Sequence, residues 1–507
     1  MESLLNFESV EHSRCLLDGM EECGFNGEYT LPEYCPDMAV VLKCWAEPRL
    51  QSRQFSADKL LLDGVVNLRV IYLDEGRCHV HSVEFSVPYS CALHGCEACD
   101  SSPVFYDLTT KYVNCRATNA RRLEVHGAVQ VSAQAYGNVQ SQIAVPVDNE
   151  GLYTRCDCIK TSRLLGSAEK IMTLSEVLEF PQSLPAAEML LGGTCTALVK
   201  EWKVLNGKVI ARGVVKIHQL YTDDQQEGTT QCLDFELPFS QIVDVIGAHE
   251  GSLCCGDVLV LSDMERCSVG PDGSNTLLEV TVKLMLQLQL YEVGETSLLR
   301  EAYHTQYPIE QKYEEVERKT FCDCQTEQAV LPVLLDIPDA ECREILDVCV
   351  VPQNTMSVME NHLVTISGTL MLSVLGRNRE GEILYFEKGE EYRLEFPGVG
   401  NESKVKVHVS DLHYRVVDGK IELQVGLAVW LCHYQLDKVS QVCALRLCTD
   451  QAYPSTKTSA LLYYAHPGES LWDIARDCHT SPQLLCQENE LTGDVVVNPC
   501  VLLVPLV

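Results

Sequence analysis

Four metal-binding residue types crowd one short stretch. Cys91, His94, Cys96 and Cys99 form C-x2-H-x-C-x2-C. Thiolate and imidazole are usual zinc ligands, but structural zinc is normally enclosed by two ligand pairs separated by a longer loop. All four ligands within nine residues is cramped, although the more distant Cys115 could supply one ligand, and the stretch reads as a cysteine-rich loop. The region of His249, Cys254 and Cys255 keeps the residue types without the spacing. Two C-D-C pairs, Cys156/Cys158 and Cys322/Cys324, recur farther along. On a strand both thiols of such a pair share one face, where free cysteine acts as a small hydrophobe. A redox role needs a lowered thiol pKa, and beside the first pair only Arg155 and Lys160 supply positive charge.

Other chemistry is missing from the text of the chain. No G-x-x-x-x-G-K-[ST] is present; the nearest match, Gly398–Lys406, lacks the second glycine. Neither G-x-S-x-G nor H-E-x-x-H occurs. His79 and His81 alternate close to Asp74 and read as a solvated face. No catalytic set is expected, and neither a cofactor nor a bound metal.

The chain has 507 residues, with 39 Lys+Arg against 72 Asp+Glu and a net charge of −33. So acidic a surface lacks the basic footprint that nucleic acid or an anionic membrane requires. Apolar content of 46% and charged content of 22% describe folded globular protein, enough for several domains. The opening MESLLNFESVEHSRC carries Glu2, Glu8 and Glu11 and no basic region, unlike a secretory signal. No apolar run is long enough for a membrane span. A cytoplasmic address follows as the expectation, with the 26 cysteines mostly reduced thiols.

The elements behind these residues repeat three times. Gly64, Gly213 and Gly368 each open an alternating run: Val66, Leu68, Val70; Val215, Ile217, Gln219; Leu370, Leu372, Val374. Period-two alternation marks a strand with one buried face. Some 20 residues on come VEFSVPYS (Val83–Ser90), LDFELPFS (Leu233–Ser240) and a looser LEFP (Leu394–Pro397). Proline there suits an edge strand or a strand end. Glu124, Glu279 and Glu422 each precede a tyrosine by 12 residues: Tyr136, Tyr291 and Tyr434. Pro271-Asp272-Gly273 and Asp418-Gly419 supply turns before two of these strands. Leu31-Pro32, Leu184-Pro185 and Ile337-Pro338 open the units. Many alternating strands with Gly/Asn/Asp turns predict a sandwich or barrel topology.

Beyond a polar stretch, Pro454–Ser459, the pattern changes. LLYYA reads as a strand and Pro467-Gly468 as a turn. Ser470 is placed to cap a short helix carrying Leu471, Trp472, Ile474 and Ala475. Ser481 caps a second helix with Leu484 and Leu485, and Val501–Val504 returns as a strand. The order β-α-α-β is predicted. This segment carries a net charge of −5.

Pro467, Gly468, Glu469, Ser470, Leu471, Trp472, Ile474, Ala475, Asn489, Leu491 and Pro505 follow, in order, the pattern of a LysM domain, which the segment resembles. One departure is Asn498-Pro499-Cys500, where the usual turn holds glycine. The resemblance implies a shallow groove that takes N-acetylglucosamine-containing glycan such as peptidoglycan or chitin. Its loops would be Gly468–Leu471 and Asn489–Thr492, with Gly468, Glu469, Ser470, Leu471, Asn489, Leu491 and Thr492 as binding residues. Of these, Leu471 reads better as core, as do Trp472, Ile474 and Leu485.

The repeated strand pattern, with LPEYCPDMAVVL at Leu31–Leu42, resembles the SPOCS-type domain. Tandem SPOCS-type domains ending in LysM resemble the SipL-type spore coat assembly proteins of endospore-forming Firmicutes. The implied arrangement is mainly β. It has an extension over 1–30, three β-sandwich-like modules over 31–160, 161–325 and 326–453, a linker over 454–460, and LysM over 461–507. The implied role is a non-enzymatic scaffold in the mother-cell cytoplasm, at the forespore surface. Its implied partner is the coat basement-layer ATPase, stage IV sporulation protein A, or another coat protein. The competing reading is a glycan-binding protein, or a cell-wall hydrolase targeted by its LysM.

Overall fold

A computed structural model describes the chain apart from residues 1–3, 57, 77–78, 96, 98–101, 225–228, 272, 337–341, 379, 418–419, 455–458, 492 and 507. Ile337-Pro338, Asp272 and the turn Asp418-Gly419 therefore lie outside the described residues. Three units of six strands follow one another. The first holds β1 (Leu5–Thr30), β2 (Met38–Ser56), β3 (Lys59–Asp74), β4 (Val80–His94), β5 (Val104–Asn119) and β6 (Arg122–Pro146). The second holds β7 (Leu152–Glu179), β8 (Ala187–Leu205), β9 (Lys208–Asp223), β10 (Thr230–Asp244), β11 (Leu253–Ser268) and β12 (Leu277–His304). The third holds β13 (Ile309–Asp336), β14 (Cys342–Glu360), β15 (Leu363–Asn378), β16 (Ile383–Pro397), β17 (Glu402–Val417) and β18 (Lys420–Leu447).

Each unit builds two antiparallel three-stranded sheets with the same strand order. In the first these are β1-β6-β5 and β2-β3-β4; the second and third repeat them as β7-β12-β11 with β8-β9-β10, and β13-β18-β17 with β14-β15-β16. Buried residues of both sheets meet in one hydrophobic cluster per unit. The alternating triplets lie on the central strands β3, β9 and β15. All nine residues are buried, the polar Gln219 included.

Pairing places the first strand of each unit ahead of the repeated signals. β1 pairs with β6 along nearly its whole length, and β7 and β13 do the same with β12 and β18. The span 1–30 thus contains a full sheet strand, and the borders drawn at 160/161 and 325/326 fall inside β7 and β13.

The repeated glycines have a steric cause. Gly64, Gly213 and Gly368 stand directly across the ladder from Tyr89, Phe239 and Tyr392. A Cβ on any of them would run into that ring and into the carbonyl of Arg49, Leu198 or Gln353 on the other neighbouring strand. The prolines obey the edge rule. Pro88 and Pro238 lie on the edge strands β4 and β10, and Pro397 ends the edge strand β16.

The units close on one another, each touching both of the others. The first strands meet pairwise (β1 with β7, β7 with β13, β1 with β13), and so do the last strands β6, β12 and β18. Equivalent residues consequently converge in the interior. Tyr136, Tyr291 and Tyr434 are all buried. Tyr291 stacks on Phe321 with ring centroids 4.5 Å apart, and Phe321 meets Tyr434 edge-on at 5.8 Å. Asp107, Asp257 and Lys406 also occupy matching positions, each paired with the residue four before its unit's tyrosine. Lys406 Nζ lies 2.7 Å from Asp257 and 3.5 Å from Asp107, and donates to the Tyr106 carbonyl at 3.1 Å. Burial alone would lower the Lys406 pKa; the two carboxylates outweigh it and raise it.

A second seam residue is His218 on β9. It sits 2.7 Å from Asp234 of its own unit and 2.9 Å from Asp347 of the third. Burial pulls its pKa down, but the two carboxylates carry it up to about 10. At one pole Ile71, Leu73 and Val80 meet Leu191, Leu220, Leu346, Leu375 and Ile383, so all three units contribute. No helix among the described residues is long and apolar enough to cross a membrane.

Candidate docking site on the C-terminal module

The last segment forms β19 (Ala460–Ala465), α1 (Leu471–Asp477), α2 (Pro482–Glu488) and β20 (Cys500–Pro505), in the predicted order. β19 and β20 pair antiparallel, with Leu462 opposite Leu503 and Tyr464 opposite Val501. Alternation divides the ribbon. Ala465, Leu502 and Val504 turn inward and pack with Leu471, Ile474, Ala475 and Leu485 of the helices. Leu462, Tyr464, Val501 and Leu503 turn outward, with Leu462 66% and Tyr464 72% exposed. These four are cross-strand neighbours, so they make one apolar patch on a sheet face that no helix among the described residues covers.

The loop residues singled out in the sequence divide by task. Gly468 has φ of +93°, a left-handed conformation that favours glycine, and open space where a Cβ would point. Its N–H donates to the Val496 carbonyl at 2.8 Å, and Val496 N–H returns a bond to Glu469 at 2.9 Å. Glu469 also closes the turn, its carboxylate accepting from His466 N–H at 3.0 Å. Ser470 precedes α1 without a side-chain capping bond and forms a β-bridge with Val495. Leu471 is core. Asn489 is a clamp: its amide donates to the carbonyls of Leu485 and Leu503 at 2.8 Å each, while its oxygen accepts from Leu503 N–H at 2.7 Å. Leu491 packs beside the module core. Thr492 lies outside the described residues. Ser481 does cap α2, accepting from Leu484 N–H at 3.3 Å.

The module is fastened to the second unit by the face of α1. Trp472 Nε1 donates to Glu301 at 2.9 Å, and Arg476 pairs with the same carboxylate. Burial would lower the Arg476 pKa, but Glu301 and Asp477 hold it raised. Tyr303 donates to the Thr480 carbonyl at 2.7 Å and stacks on Tyr153. Tyr453 lies flat against His479 at 3.7 Å. Sequence patterning could not reveal this attachment, because Glu301, Tyr303 and Trp472 carry no shared motif.

The cysteines sort differently from their spacing. Cys91 is buried in the core of the first unit and His94 is exposed, while Cys96 and Cys99 lie outside the described residues. Cys156 and Cys158 share a face of β7 but are exposed. Cys324 instead joins Cys255 and Cys432, three sulfurs mutually within 4.8 Å. The available signal was the C-H-Y at Cys432, two residues before the repeated tyrosine, but only closure of the units brings it to Cys255.

Residues 37–118 and residues 187–269 each match a family model, described as SipL, SPOCS domain. The two segments correspond to β2–β5 and β8–β11, the middle four strands of the first and second units. The match supports the resemblance read from the strand pattern. No curated protein and no solved structure matches the chain.

Proposed function

We propose that this chain is a non-enzymatic scaffold of spore coat assembly, and that its C-terminal module docks it to a coat protein at the forespore surface. The family match over two of the three units supports the coat-related role. The observation that carries the docking role is the outward apolar face of Leu462, Tyr464, Val501 and Leu503. A module already fastened through α1 leaves that face for a second protein. The family resemblance names the coat basement-layer ATPase, stage IV sporulation protein A, as the first partner to test. The glycan reading rests on a different surface, the Gly468–Ser470 turn and its bridge to Val495.

The test uses the full chain and the purified ATPase. Wild-type chain retains the ATPase on beads, and the double variant Tyr464→Glu/Leu503→Glu binds it at least about tenfold more weakly, as expected for two anchor residues at a patch centre. Retention on purified peptidoglycan without retention of the ATPase would overturn the protein-docking role.

A further inference from the structure

Cys255, Cys324 and Cys432 come from three strands and two units: β11 of the second, β13 and β18 of the third. Cys432 Sγ lies 2.8 Å from Cys324 Sγ and 3.3 Å from Cys255 Sγ. Cys324 and Cys432 are direct cross-strand partners, whereas Cys255 reaches them across the seam between units. Around them stand Phe105, Tyr291, Phe321, Tyr434 and Trp430, and within this aromatic cluster Cys255 and Cys432 are buried and Cys324 is partly buried. Lys404 is the ladder partner of Cys432. A cationic neighbour favours thiolate, the form that binds metal.

We propose that Cys255, Cys324 and Cys432 form a three-thiolate site for a soft monovalent metal ion, Cu(I), which ties the second unit to the third. Zinc is disfavoured because its structural sites take four ligands, and the cluster offers three with no histidine or carboxylate among them. Soft thiolates select Cu(I), and the burial of Cys255 and Cys432 among aromatic side chains limits its oxidation. A disulfide would use two of the sulfurs and leave the third without a role. His218, Cys232 and Asp347 form another close group, but His218 is held there as a cation between two carboxylates and is no ligand.

The experiment takes the full chain, reduced, and supplies Cu(I) against a chromophoric Cu(I) chelator. Because the chain holds 26 cysteines, variants identify the site. Wild-type chain should keep one tightly held copper, with three sulfur neighbours by X-ray absorption. Cys255→Ser and Cys432→Ser should each weaken retention by on the order of 100-fold, while Cys44→Ser, in the separate Cys44/Cys115 pair of the first unit, leaves it unchanged. Circular dichroism checks folding, and Cys255→Ser, which leaves the Cys324/Cys432 pair intact, serves if Cys432→Ser unfolds. Equal retention by wild type and Cys255→Ser overturns the proposal. So does a Cys324–Cys432 disulfide found by mass spectrometry in a chain that holds no tight copper.

Discussion

The hydroxyl oxygens of Tyr136 and Tyr434 lie 3.5 Å apart in the interior, although 298 residues separate them in the chain. They belong to the first and third units, so their meeting marks where the last unit closes on the first. Lys404 reaches the same place, 3.4 Å from the Tyr136 hydroxyl and 6.0 Å above the Tyr434 ring. Burial raises the pKa of both tyrosines far enough that they stay neutral and share a hydrogen bond.

Tyr434→Ala should therefore cost about 3–5 kcal/mol, the usual range for a large aromatic removed from a core. Tyr434→Phe should cost about 1 kcal/mol, the worth of the lost hydrogen bond. Urea denaturation measures both. A double-mutant cycle with Tyr136→Phe should return a coupling; strict additivity would show that the two hydroxyls do not interact.

Lys406 neutralises two aspartates from two other units. Lys406→Met should cost about 1–3 kcal/mol, because Asp107 and Asp257, both partly exposed, would face each other uncompensated. Adding Asp257→Asn to Lys406→Met should recover part of the loss. A double variant no more stable than the single one would contradict the triad.

His218 makes stability depend on pH. Its folded pKa, about 10, stands above the ordinary value near 6.5. Its contribution is then present in full below about pH 6.5 and is lost as pH rises toward about 10. The stability gap between wild type and His218→Gln should be about 1.5–3 kcal/mol at about pH 6 and shrink by about pH 10. Asp347→Asn should flatten that dependence. A gap that grows with pH would have the wrong sign.

Two glycines should respond differently to alanine. In Gly213→Ala the new Cβ meets the Phe239 ring and the Leu198 carbonyl, an overpacking cost of about 1–3 kcal/mol. In Gly468→Ala it meets nothing, and only the left-handed backbone is strained, about 1 kcal/mol. Thermal denaturation of the full chain reads the first; hydrogen exchange of the C-terminal module reads the second.

Much of this fold was legible because it rests on local rules. Alternation at Val66, Leu68 and Val70 marks a buried face whatever surrounds it, and Pro88 and Pro238 announce edge strands. Ser481 and Leu485 likewise define α2 from within a few residues. What could not be read depends on closure in three dimensions. Tyr136, Tyr291 and Tyr434 were visible as a repeat, but nothing in their spacing says that Phe321 bridges Tyr291 to Tyr434 or that the Tyr136 and Tyr434 hydroxyls meet. Cys324 looked like half of a C-D-C pair, and its true neighbours are 69 and 108 residues away in sequence. β1 went unread as part of the first unit because its partner, β6, lies beyond four other strands. Asn489 was a groove candidate by resemblance, and its amide is committed to Leu485 and Leu503.

Mutual contact among the three units also limits what duplication can do to this chain. An open array of repeats exposes a fresh end after every copy and can be lengthened by one more. Here each described unit touches both companions, so removing one would bare a surface on each of the other two. The outward face of the appended C-terminal ribbon lies outside this mutual packing and stays open to a further chain.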